Sequence, residues 1–552
     1  MIFNNSYLKN IFVTAVLIFY LFISFNLIKY HYELIYYPFQ VEQEEIGMVV
    51  STDLLMKGIN PYRFENQPMF TNIYGIGYNL VVIPVYKILD RLNSHHKGGS
   101  NYMLSHRITS AVFIVLSLSL IAFIMYCLKI DSLLICGAII IQYATLFFYS
   151  PAIAKPDSMG MFLYLMSVFI PWYFRYSFRS VLIGIVIGLV CFYTKIYFVL
   201  GIMIVISYIF FFISKSKGVK YFSIFSIVFI LTAIVMNSLC EAYFYDVVFL
   251  QYNFTKHPVT TTFKETLRFF IWNAGLAICL CLSLIIEMRN YLYLKVRNSF
   301  FNNLKRSDIN ISDINKPFFN KEVSIFSYSV FILLCVLVLK LGSLLSYHFE
   351  LFMPFFLISI LKPGDGFLKS KYVLIAFLAI NIYTAYSNVL FMKIVPPDIF
   401  FRTDPSGKFT IRVGISPEEI EKLIAKSINV LVSRPFSIMA LNHGKTVYDT
   451  SHNNYMNDLT PKNVFAKILF PKNFTELNEK FIEEINDKIA SKYFDLLVLT
   501  INTSNGINKK YLDPWFISNK NVFDNYVVTG QYKYFIPALP DTVDIMTFEP
   551  KE

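Results

Sequence analysis

The stretch Ile73-Tyr-Gly-Ile-Gly-Tyr-Asn-Leu-Val-Val-Ile-Pro-Val-Tyr-Lys-Ile-Leu89 decides how this chain is threaded. It is apolar enough to enter a bilayer but falls short of the ~20 residues that a spanning helix needs. If it crosses, every later loop changes side. If it lies along the interface, Lys129, Arg175, Arg179, Lys215, Lys217 and Lys220 share the side of Lys9. The 289–322 loop and Lys362, Lys369 and Lys371 join them. That is the positive-inside arrangement. Its one violation is the segment 90–107, where Arg91, Lys97 and Arg107 are left outside. The interfacial placement is adopted.

Outward from that stretch, apolar runs recur at 11–29, 108–128, 132–150, 158–174, 180–194, 196–213, 221–240, 267–288, 323–341, 343–361 and 371–392. They predict a polytopic α-helical membrane protein of about 11 spans in a cell membrane, with the amino end cytoplasmic. The run 11–29 is too long for a signal peptide, and no small-residue cleavage site follows it. Charged residues are 16% of the chain, against roughly a quarter in soluble domains. From 394 onward polar and apolar segments mix, so residues 1–393 are expected to form the membrane domain. Residues 394–552 are expected to form a small extracytoplasmic α/β domain. In it, Ser416-Pro417-Glu418-Glu419 opens a helix, a second helix covers about 474–490, and 429–433 and 494–500 read as strands.

The net charge of +12 resides in the membrane part. Residues 394–552 hold 18 Lys and Arg against 19 Asp and Glu, of 49 and 37 in the whole chain. The basic balance is therefore topology and not nucleic-acid binding. The seven cysteines lie in or beside apolar segments, which excludes a disulfide framework or a thiolate zinc site. No Gly-rich phosphate fingerprint opens a helix in the tail.

The first outer loop, 31–107, carries Glu42-Gln-Glu44-Glu45, then Gly58-Ile-Asn60-Pro61-Tyr62. Residues 44–56 read as an amphipathic interfacial helix closed by Gly58. Carboxylates at a membrane face are costly and mark ion, proton or substrate chemistry. Their plain alternative is a solvated loop acid. A second acid, Asp157, stands in Lys155-Pro156-Asp157 before an apolar run, where it also fits a helix N-cap. Lys195 and Arg107 stand at span ends, where basic side chains also snorkel. His348 and Glu350 interrupt an apolar segment, pointing to a polar pocket or a helix-packing partner. Lys256 and His257 lie in the outer loop 241–266.

In this order the residues resemble the GT-C superfamily of integral membrane glycosyltransferases, in its bacterial family 39-like branch. That superfamily includes the protein O-mannosyltransferases and the lipid A aminoarabinose transferases. The likeness is carried by Glu44-Glu45 with Gly58-Ile-Asn60-Pro61-Tyr62, His106-Arg107-Ile108, Lys155-Pro156-Asp157, Thr194-Lys195 and Gly342 through Tyr347-His348-Phe349-Glu350. It covers most of 1–392, with Lys155 where Arg is commoner. It implies transfer of a sugar from a polyprenyl-phosphate donor to a lipid, glycan or protein acceptor of the cell envelope. Glu45, Glu44 and Asp157 would be catalytic, and Lys195 and Arg107 would hold the donor phosphate. Tyr347, His348, Glu350 and Glu42 would bind substrate. A divalent ion, Mg or Mn, is left open on Glu44, Glu45 and Asp157.

The chemistry argues the same way. An acceptor must lose its proton while attacking the anomeric carbon, so a carboxylate base is needed. The departing phosphate needs a cation. A polysaccharide polymerase and a transporter or flippase of lipid-linked sugars are the rival readings. The chain shows neither the repeated halves nor the midplane breaks common in transporters.

Overall fold

The computed structural model describes residues 6–41, 45–67, 69–92, 100–148, 152–250, part of 267–278, 324–338, 344–361, 371–390, 401–403, 410–412, 414–448, 474–503, 520–535 and 542–552. The protein is mostly helical, with a small mixed sheet near its carboxyl end. Among the described residues, four helices are long and apolar enough to cross a membrane: Tyr7–Tyr36, Asn101–Cys127, Ile196–Ile213 and Lys215–Leu239. Shorter apolar helices occupy Ser132–Phe147, Phe178–Thr194, Ile325–Val336, Glu350–Leu361 and Tyr372–Ser387. The run expected at 267–288 falls largely outside the described residues.

The first helix, α1 (Ser6–Tyr36), shows why these segments bundle. Val16, Tyr20, Ile23, Leu27 and Leu34 recur at helical spacing and are buried, whereas Leu17, Ile18, Leu21, Phe22, Phe25 and Ile28 are exposed. A helix apolar all round buries one stripe in protein and offers the rest to lipid. The bundle continues through α2 (Glu45–Met56), α3 (Ile76–Leu92), α4 (Ser100–Cys127), α5 (Ser132–Phe148), α6 (Asp157–Tyr173), α7 (Phe178–Thr194), α8 (Leu200–Tyr208) and α9 (Lys215–Leu239). It is completed by α10 (Ser324–Val338), α11 (Leu344–Leu361) and α12 (Lys371–Leu390). A tight turn joins α6 to α7, with Arg175 and Tyr176 at positive φ and Ser177 capping α7. These two helices are therefore antiparallel neighbours, and the start of α6 lies beside the end of α7.

The decisive stretch forms α3. Its Tyr78 hydroxyl donates to the His106 carbonyl at 2.8 Å, and the Tyr86 ring stacks on Tyr102 at 4.5 Å. So α3 runs antiparallel to the first turns of α4 and stays beside that helix's amino-terminal end. The preceding helix α2 differs from expectation. Instead of one wet and one apolar face, every residue from Glu45 to Leu54 is buried. Membrane helices cover one side, and the tail domain covers the other.

In that domain the four-stranded sheet runs β3 (Val430–Val432), β4 (Leu496–Thr503), β6 (Thr542–Pro550), β5 (Tyr526–Phe535). The β3–β4 pair is parallel and the others antiparallel. A separate antiparallel pair joins β1 (Phe401–Thr403) to β2 (Thr410–Arg412). Strand alternation sorts the faces. Leu497 and Leu499 pack on Phe481, Ile485 and Ile489 of α15 (Phe474–Ala490). Leu496 and Val498 join a cluster with Ile420 of α13 (Pro417–Lys426), Ile438 of α14 (Ser437–Asn442), Phe39, and Ile46, Val49, Val50 and Leu54 of α2. One apolar core thus runs from the sheet into α2. The helix start expected at Ser416 forms, and Ser416 and Glu419 close it with a capping box.

Candidate functional site

Two buried ion pairs meet at one end of the bundle. Glu45, the first residue of α2, accepts from the Val41 amide at 2.7 Å and the Ala154 amide at 2.9 Å. Arg107 donates to it from Nε and Nη2 at 3.2 Å. Arg107 also donates to the carbonyls of Leu34, Tyr37 and Phe39. Both side chains are fully buried. This pair ties the end of α1, the start of α2, α4 and the 153–157 segment together. The Glu45 oxygens and the Arg107 nitrogens are committed to those bonds.

Three residues after Ala154, Asp157 begins α6. It does not serve as N-cap: the cap position is Pro156, without a side-chain bond. Instead Asp157 Oδ1 accepts from Lys195 Nζ at 2.7 Å, with neither side chain exposed. The helix termini explain the match. Asp157 sits at the positive end of α6 and Lys195 at the negative end of α7, so each charge is favoured by its own helix. Lys195 Nζ also lies 4.9 Å from the centre of the Tyr74 ring and 5.8 Å from that of Tyr197. That neighbourhood requires Gly75, whose amide donates to the Thr194 carbonyl at 3.2 Å. A β-carbon there would sit 2.1 Å from the Tyr193 carbonyl oxygen.

Glu350, in α11, completes the group. It is fully buried and interacts electrostatically with Asp157, Lys195 and Lys155. Neither of its oxygens, nor Asp157 Oδ2, nor Ser158 Oγ makes a hydrogen bond to the described residues. Four ionisable side chains are therefore gathered here, together with buried oxygens of unused hydrogen-bonding capacity. Tyr78 is fully buried close to both pairs. Its hydroxyl meets Ser110 Oγ, which in turn reaches the Ile153 carbonyl, both at 2.8 Å.

Of the residues expected from sequence, Glu45, Arg107, Asp157, Lys195 and Glu350 are brought to this end of the bundle. Arg107 faces Glu45 and not Lys195. Glu42, Glu44, Lys256 and His257, and the side chains of Tyr347 and His348, lie outside the described residues. Lys155 and Ser158, to which the sequence assigns no role at the site, stand beside Asp157. The buried acid Asp246 was also missed. Asp246 Oδ2 accepts from Gln67 Nε2 at 2.9 Å, and burial pushes its carboxyl well above the usual range. Its only sequence signal was an acid inside the aromatic run Tyr243-Phe-Tyr245.

A divalent ion does not suit Glu45 and Asp157 as placed, since an arginine and a lysine already neutralise them. Among the described residues, no three His, Cys, Asp or Glu side chains are grouped to hold a metal. No protein-family model matches the chain, and no curated protein matches it.

Proposed function

We propose that the protein is a membrane glycosyltransferase that moves a sugar from a polyprenyl-phosphate donor to a cell-envelope acceptor at the outer face. On this reading the chain crosses the membrane about eleven times, with its amino end cytoplasmic and its tail domain outside. The observation that carries the proposal is the buried Asp157–Lys195 pair, with Asp157 Oδ2 open beside it. It supplies a base and a cation within one site, at the end of the bundle where a lipid-borne donor is reached. Arg175 and Arg179 lie at the opposite ends of α6 and α7, as cytoplasmic basic residues should.

In this mechanism Asp157 Oδ2 takes the acceptor's proton, and the acceptor oxygen attacks the anomeric carbon. The bond from that carbon to the phosphate oxygen breaks with inversion. Lys195 and Lys155 hold the charge that develops on the phosphate. Glu45 and Arg107, saturated by each other, position the 153–157 segment and take no part in proton transfer.

The test is sugar transfer by the purified protein in lipid, from a panel of radiolabelled polyprenyl-phosphate sugars to envelope extract. Asp157→Asn is expected to lower transfer by roughly 10²–10⁴, the range of general-base catalysis. Unchanged transfer by a folded Asp157→Asn protein removes the base assignment. No transfer from any donor, with active controls, removes the transferase reading and favours polymerase or transport.

A further inference from the structure

We infer that Glu350 is a second catalytic carboxyl, the general acid that protonates the departing phosphate while Asp157 acts as base. The inference rests on the transferase reading and assigns that site's proton traffic.

The two carboxyls share a site but not an environment. Asp157 has Lys195 Nζ at 2.7 Å and the amino-terminal end of α6 behind it. Glu350 is equally buried, yet no described residue donates to either of its oxygens. An ionised carboxylate placed there bears the full cost of desolvation with no hydrogen bond to offset it. The negative charge of Asp157 adds to that cost, while Lys155 and Lys195 oppose it. Lys195, however, makes its close contact with Asp157. The neutral acid is the form that this position accommodates. One carboxyl is paired with a cation and the other has no donor among the described residues, so the acid role falls to Glu350 and the base role to Asp157.

The step balances without a further reagent. The acceptor O–H proton passes to Asp157 Oδ2 as the acceptor oxygen bonds to the anomeric carbon. The bond from that carbon to the phosphate oxygen breaks, and its electron pair stays on the oxygen. The Glu350 proton moves to the phosphate and leaves a carboxylate. Asp157 then returns its proton to Glu350, which resets both groups. In net terms the acceptor's proton ends on the released polyprenyl phosphate.

The experiment has two readouts on the full chain in lipid nanodiscs. Infrared spectroscopy at neutral pH reads the carbonyl stretch of a protonated carboxylic acid. A band is expected in the wild type and in Asp157→Asn, with the Glu350 contribution lost in Glu350→Gln. Absence of any difference between wild type and Glu350→Gln overturns the inference, whatever the activity. Transfer from the active polyprenyl-phosphate sugar is then followed against pH. Glu350→Gln is expected to lower kcat/KM by roughly 10² or more, within the general-acid range. It should also abolish the alkaline limb of the profile and keep the acid limb. A structural role for Glu350 would lower the whole profile without removing a limb, and that result also overturns the inference. Inactivity of the wild type with every donor overturns the transferase reading and the acid role with it. An active wild type with an unaltered Glu350→Gln profile overturns the acid role alone.

Discussion

Arg107 and Glu45 face one another at 3.2 Å without solvent contact, and each is closed off by backbone groups from separate segments. A buried pair of this kind is weak evidence of net stabilisation, but losing one partner strands the other charge. Glu45→Ala is therefore expected to destabilise the protein by about 3–5 kcal/mol, and Arg107→Ala similarly. Unfolding of each variant in lipid would check this. A variant as stable as the wild type would show that the pair does not tie these segments together.

Gly75 and Gly58 make a second, contrasting prediction. A methyl group at Gly75 meets the Tyr193 carbonyl, backbone that can retreat only by moving α7. Gly75→Ala is expected to cost about 1–3 kcal/mol by overpacking. It should also displace Tyr74 from Lys195 and lower transfer. Gly58 has open space around it but φ +77° after the end of α2. Gly58→Ala should cost only about 1–2 kcal/mol of left-handed strain and leave transfer intact. Equal losses of transfer would refute the distinction.

The apolar helices, the tail's helix starts and two of its strands were legible because they rest on local signals: apolar length, an N-cap with its acid, short apolar runs for the strands. The burial of α2 was not. A sequence shows the apolar side chains of α2 but not that a domain hundreds of residues later covers its remaining face. The acids were likewise found by type and place, while their partners were not. Arg107 and Lys195 looked equivalent as basic residues at span ends. Only the antiparallel packing of α6 and α7 gives Lys195 to Asp157, and only the docking of α2 on α4 gives Arg107 to Glu45. Asp246 was missed because burial, invisible in an aromatic loop, is what sets its chemistry.

Asp246 predicts a pH dependence. Burial raises its folded-state pKa above the ordinary value of 3.8. The folded chain then binds a proton that the unfolded chain has lost, so stability falls as pH rises from that ordinary value toward the folded one. Asp246→Asn keeps the shape and removes the titration. Below pH 3.8 the variant should match the wild type, and at neutral pH it should be the more stable. Parallel stability curves across this window would show that Asp246 does not titrate on unfolding.

The shared core between sheet and α2 predicts that the tail domain holds the segment between α1 and α3 in place. Phe436 is fully buried, packs against Tyr534, and belongs to the cluster that reaches Ile46, Val49 and Val50. Near it, the Ile438 amide donates to Gln40 Oε1 at 3.3 Å, a direct bond from tail to loop. Phe436→Ala should cost about 3–5 kcal/mol, the usual penalty for emptying an aromatic core site. If the domain clamps α2, part of that cost appears away from the mutation, as faster amide hydrogen exchange across residues 45–56. Exchange there matters for chemistry, because Glu45 opens α2 and holds the Ala154 amide, three residues from Asp157. Faster exchange in α2 together with lowered sugar transfer would make the tail domain a support for the site. Exchange that rises only within 414–448 would make it a separate body that happens to rest there.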